Sequence, residues 1–482
     1  MTEGPDVGHE RKAPGRPLPL AFLPRGQYHW RIVEACHVRV IVALMSAVLL
    51  AAPGCGGEEP LKTPTQLFVG YAEADVTPPL GSIMGGYGPP GGYRLSTGIH
   101  DPIKTQVAII ANDAPQAMVI VTMDTVGYFH DYGEWGPGVS DVRKQIVKAI
   151  GKQFRMKPEH IIVSSDHAHS GPDLTGFWQE IGQGPDLAYL ESVRDAMVAT
   201  AQAAAASIQP GTVHYAMGEL VGYSGRSEDC SDVIDNSVAV MQARDAGGNP
   251  VFTVANYARH PTSLGSSNTD YSADYIWGYR EEMLRRTGGA GIFIQGAIAA
   301  VHGGPLGPTG ADEWEKTYNM GSIIADAVEA TFPSLQQSQS VEIRHAYATT
   351  ECQMLSELVK AMYENADMPK RHMHYVGEEL WVNEVPISWH QVGDAELASY
   401  PGEATPELSL LTKSKMVSQF QFLVGLGNDE IGYLIDEESI AKDTEERLAG
   451  YELNIGMGHD SGQCVWDAHT ALGWFDGAFV VP

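Results

Sequence analysis

The chain has 482 residues, 43% of them hydrophobic, enough to bury a large core and to exclude disorder as its overall state. Against 31 lysines and arginines stand 60 aspartates and glutamates, a net charge of −29 with no basic stripe, so no nucleic-acid partner is expected. Five cysteines, none spaced as CxxC, indicate neither a disulfide framework nor a zinc ribbon.

The first element is VRVIVALMSAVLLAAPGC (38–55), where Arg39 precedes an apolar run too short for a membrane span and small residues follow. Residues 1–55 are therefore expected to be an export signal. Cys55 after Ala52-Pro53-Gly54 is similar to the lipobox of bacterial lipoproteins, with Ala52 where a leucine is usual. The expectation is an exported, cell-envelope protein held at a membrane by a lipid on Cys55, with residues 56–66 as a tether. Cleavage nearby without acylation is the other outcome. Cys230, Cys352 and Cys464 then remain, which permits one disulfide and leaves one thiol.

QVAIIA (106–111) and AMVIVTMD (117–124) predict two strands joined across a tight Asn-Asp-Ala-Pro connection. VSDVRKQIVKAIGKQF predicts a helix with Val142, Ile146, Ala149 and Ile150 on one face and Ser140 as N-cap. HIIVSS (160–165) is a third strand, and the alanine-rich segment 187–208 is the longest helix, opened by Pro185-Asp186. VIDNSVAVMQAR and NPVFTVANYARHP read as strands flanking an Asp-Ala-Gly-Gly-Asn turn, GIFIQGA as a strand and 315–332 as a helix. This order predicts an α/β protein, with α+β as the alternative: one large domain over 67–482 with a mixed β-sheet core flanked by helices.

The stretch SSDHAHSGPD (164–173) places His167 and His169 two residues apart after the third strand. If the strand continues through them, both side chains share a face and can address one metal or one substrate. An isolated HxH is a weak signal, and standing alone it favours polar residues at a strand end.

Other segments accompany it. DHAHSGP resembles the T-H-T-H-S-G-P motif of the neutral, non-lysosomal ceramidases, and VGYAEADVTPPLGSIMGGYG (69–88) resembles their opening segment. GRS (225–227), NYARHPTS (256–263), PGEAT (401–405), IGYLIDEES (431–439) and AGYE (449–452) are similar to further motifs of that family, in the same order. The resemblance runs from Phe68 to about the C-terminus. It implies a zinc ion held by His167, His260, Glu403 and Tyr433, with His169, Arg226 and Tyr451 around the substrate amide. Such a donor set suits zinc with room for a water, and zinc both lowers that water's pKa and polarises a carbonyl, as amide hydrolysis requires.

The match breaks at the family's serine, which lies in a segment of the form Q-S-N-x-G-D-V-S-P-N. In IFIQGAIAAVHGG (292–304) Gln295 is kept, but Ala299 and Ala300 replace the Gly-Asp pair and His302 replaces the serine. An imidazole there can serve as acid, base or additional ligand. The family's C-terminal immunoglobulin-like domain is also expected to be missing. The reading is an exported zinc-dependent hydrolase of an N-acyl amide bond, acting on a small molecule or lipid of the sphingolipid kind. The alternative is a catalytically silent, metal-containing binding lipoprotein on the same scaffold.

Overall fold

The near-continuous apolar runs become strands buried on both faces, which requires a layer on each side of the sheet. In the computed structural model, residues 63–89, 91–226, 232–365, 373–435 and 452–477 are described; Cys55, most of the tether, Cys230 and Tyr451 lie outside them. Strands β1 (Leu67–Asp75), β2 (Lys104–Asn112), β3 (Ala117–Met123), β4 (Ile161–Ser165), β5 (Gln209–Glu219), β6 (Ser237–Asp245), β7 (Pro250–Tyr257) and β8 (Ala290–Gln295) lie in the order β8-β7-β6-β5-β1-β2-β3-β4. The short strand Gln336–Gln337 pairs with β5 and completes a nine-stranded mixed sheet, in which β3 and β4 run parallel, as do β7 and β8.

Alternation along β2 shows the layering. Val107, Ile109 and Ala111 point into a core shared with helices α1 (Val139–Phe154) and α2 (Leu187–Ala206), while Ala108 and Ile110 point to the opposite face. Helices α3 (Tyr275–Thr287) and α4 (Glu313–Ala330) cover β6 to β8 through Tyr279, Met283 and Ile324. The expected mixed α/β architecture is therefore present.

The opposite face is covered by something the sequence did not announce. Strands β9 (Ile343–Gln353), β10 (Glu379–Val392), β11 (Ala395–Ser399) and β12 (Phe420–Val424), with Met373–Val376, form a second, five-stranded sheet. Val392, Leu397 and Phe422 pack in the same cluster as Ala108 and Ile110. β10 carries Asn383, Glu384 and Pro386 and a register shift against β9, so its apolar pattern is broken and its pairing is decided by the partner sheet. Ser140 is likewise not the cap of α1: Gly138 is, with its N–H donating to Asp141 at 3.3 Å. A disulfide joins Cys352 on β9 to Cys464 on the helix Ser461–Leu472. No described helix is long and apolar enough to cross a membrane.

Buried histidines make this fold sensitive to acid. His469 is wholly buried; its Nε2 lies 3.0 Å from the Ser399 carbonyl and its Nδ1 accepts from Trp474 Nε1 at 3.1 Å, an arrangement complete only for the neutral ring. Burial pulls its pKa down to about 4, and that of His345, whose Nδ1 lies 2.7 Å from His390 Nδ1, down to about 3. The unfolded chain protonates these rings below about pH 6.5, so it takes up protons first and stability falls as the pH drops from there towards 4. At pH 5 the loss is about 2 kcal/mol for each ring. Thermal melts at pH 7 and pH 5 should show a marked fall in Tm, smaller in His469→Gln; a Tm that does not move over this range contradicts the assignment.

Candidate metal centre

β4 ends at Ser165, so the strand does not continue through the two histidines as the spacing suggested. Instead the chain turns, and His167 adopts a left-handed backbone with φ of +67°. His167 donates its backbone N–H to the Thr125 carbonyl at 3.0 Å and its Nδ1–H to the Val126 carbonyl at 2.6 Å. His260 follows β7 and uses both its backbone N–H, at 3.1 Å, and its Nδ1–H, at 2.8 Å, on the Val301 carbonyl. Glu403 follows β11, in register with Tyr433 on a short parallel pair. Each thus lies beyond the carboxyl end of a strand that has a parallel neighbour, the end at which α/β sheets assemble sites. Gln295 ties two of them together: its Nε2 donates to the Asp166 carbonyl at 2.8 Å and its Oε1 accepts from the Arg259 N–H at 3.3 Å.

With both Nδ1 protons committed to carbonyls, the Nε2 atoms present bare lone pairs. These face one carboxylate: His167 Nε2 is 3.6 Å from Glu403 Oε1 and His260 Nε2 is 3.1 Å from Oε2. All three residues are no more than 5% exposed. Burial pulls the His167 pKa to about 4 despite the charge of Glu403, so this ring does not supply the missing cation near neutrality. Lone pairs aimed at a carboxylate repel unless a cation lies between them, and this donor set fits a metal ion.

His169 joins the group more closely than its assignment to the substrate amide implied. Ligand nitrogens of His167, His169 and His260 lie within 4.8 Å of one another, and neither ring nitrogen of His169 has a hydrogen-bond partner. The cluster can hold a metal ion. Gly86 (φ +101°) seats the ring, because a Cβ there would come within 2.5 Å of it.

Tyr433 is buried and, with His167, His169 and Glu403, lines an apolar cavity. His302 lies on the strand Val301–Gly303, paired with Ser224–Arg226, and its ring centre is 4.9 Å from that of His260. Arg226 forms an ion pair with Glu407 at 3.0 Å, so its guanidinium has a protein partner beside the site. Tyr451 lies outside the described residues.

Two features had escaped the sequence. An apolar cavity of about 100 Å³ opens on His167, His169 and Glu403, and is lined by Phe129, Trp178, Met354, Tyr363 and Met457, which come from both halves of the chain. Beneath His167, Arg280 holds Asp124 through two bonds of 2.7 and 2.6 Å. Asp166 faces that pair, and burial, reinforced by the charge of Asp124, pushes its carboxyl well up.

No family model matches the sequence. Neutral ceramidase A of Dictyostelium discoideum is 23% identical over 254 residues, 47% of this chain and 34% of that protein. The chain is a distant homologue of neutral ceramidase. Its match spans about a third of that relative's length. The crystal structure of neutral ceramidase from Pseudomonas aeruginosa superposes with a TM-score of 0.65 at 16% identity, covering 86% of this chain and 74% of that one. A ceramidase complexed with C2 gives 0.63 at 16%, covering 84% and 74%. The ceramidase-like fold thus extends over most of the chain, well beyond the stretch aligned by sequence.

Proposed function

We propose that this protein is a zinc-dependent hydrolase that cleaves the amide bond of an N-acyl lipid. The observation that carries this reading is the pair of bare imidazole nitrogens facing Glu403, with His167 and Glu403 lining an apolar cavity. His167, His260 and Glu403 would hold the ion, with Tyr433 or His169 completing the set. When bound, zinc polarises the amide carbonyl and makes a water nucleophilic near neutral pH.

The chain's own residues supply the remainder. The cavity takes the acyl chain, each buried methylene contributing about 0.8 kcal/mol, and excludes bulk water from the amide. His302, beside His260, would pass a proton to the departing amine, and Arg226, steadied by Glu407, with Tyr451, would orient the polar end of the substrate. The catalytic unit is residues 67–482. Export and a lipid on Cys55 belong to the same proposal; the Cys352–Cys464 disulfide suits an oxidising compartment and so favours export alone.

Metal analysis of purified protein should give one zinc per chain. Fatty-acid release from N-acyl substrates should stop with a chelator and return with zinc. Metal without hydrolysis would favour the silent binding protein; absence of metal would overturn the reading. Mass spectrometry after expression in a lipoprotein-processing host should find an acylated Cys55, and an unmodified N-terminus elsewhere removes the anchor alone.

A further inference from the structure

The motif T-H-T-H-S-G-P has threonine before its first histidine, whereas this chain has Asp166, 1% exposed. Its surroundings give that aspartate a task. His167 sits in the left-handed region, which is unfavourable for a non-glycine residue and persists only where neighbours over-determine it. Asp166 Oδ1 accepts the Ala168 N–H at 3.0 Å, closing a turn around His167 from one side chain. The Asp166 backbone is held at both ends, its N–H by the Met123 carbonyl at 3.0 Å and its carbonyl by Gln295 Nε2 at 2.8 Å. Behind it stand Asp124 and Arg280, themselves 0% and 7% exposed and joined by two hydrogen bonds.

We infer that Asp166 is a positioning residue: its side chain, backed by the Asp124–Arg280 pair, locks His167 in the left-handed conformation that aims Nε2 at Glu403. The inference rests on the metal reading above for its consequence, but the orientation of His167 is a property of the chain itself. A side chain of the right length with an oxygen acceptor at the same place should therefore substitute for aspartate, and one without it should not.

The test uses Asp166→Asn, which keeps the acceptor, against Asp166→Ala, which removes it. Zinc affinity of the apo-protein, measured by competition with a chelator of known affinity, should stay within about three-fold in the first and fall roughly 10–100-fold in the second, the range for residues that orient a ligand. Histidine imidazole NMR on the apo-protein gives a second readout: His167 should show one Nδ1–H tautomer in the wild type and Asp166→Asn, and lose it in Asp166→Ala. Should Asp166→Ala fail to fold, Asp166→Thr and Asp166→Val, alike in shape but with and without the acceptor, make the same comparison. Wild-type affinity with a fixed tautomer in the acceptor-free variants would overturn the inference, as would an Asp166→Asn as weak as Asp166→Ala. If the wild type binds no zinc, the metal reading fails and the tautomer alone decides the role of Asp166.

Discussion

Replacing His260 with alanine is expected to weaken zinc binding by more than about 100-fold, beyond the usual effect of losing a residue that merely orients a ligand. The reason is geometric. His260 Nε2 stands 3.1 Å from Glu403 and 2% exposed, so no solvent group can replace it without opening the centre. The backbone should stay in place, because the His260 N–H still donates to the Val301 carbonyl. Hydrolysis should therefore disappear together with the metal while Tm, compared with the zinc-free wild type, changes little. Zinc content after dialysis against a chelator of moderate affinity checks this. A His260→Ala protein that keeps stoichiometric zinc would remove His260 from the ligand set and shift attention to His167 and His169.

What could be read in advance, and what could not, follows from the range of the forces involved. The large sheet was legible because β2, β3, β4 and β8 are apolar runs whose character does not depend on the partner. The second sheet was not: β10 alternates imperfectly, with Val392 packed against the first sheet while Leu380, Val382, Val385 and Ile387 belong to a different core cluster, a division that only the fold decides. His167, His260 and Glu403 were picked out by their motifs, and the structure brings them together. The carbonyls of Val126 and Val301, which set the ring tautomers, leave no trace in residue type. The Asp124–Arg280–Asp166 group was hidden for another reason, since 156 positions separate Asp124 from Arg280 and the sequence offers no cue that they meet.

The last expectation concerns His302, where the chain departs furthest from the ceramidase pattern. The segment is a short paired strand rather than a free loop, although His302 and Gly303 are exposed. Gly304 donates its N–H to the Tyr223 carbonyl at 3.0 Å, and a Cβ at Gly304 would press within 2.3 Å of the Gly222 carbonyl, so the ribbon is tightly seated. His302 retains an outer side open to solvent, yet its ring sits 4.9 Å from His260, and burial of that inner side, with His260 next, draws its pKa down to about 4. A neutral imidazole at that place can accept a proton from the attacking water and return it to the leaving amine. The neighbouring Val301 carbonyl, not the ring, is what fixes His260. His302→Ala should accordingly keep its zinc and lower turnover on the best N-acyl substrate by roughly 10²-fold. Unchanged turnover would reject the catalytic role, and joint loss of zinc and activity would make His302 a ligand instead. His302→Ser should not recover the missing turnover, because Ala299 and Ala300 still occupy the Gly-Asp positions.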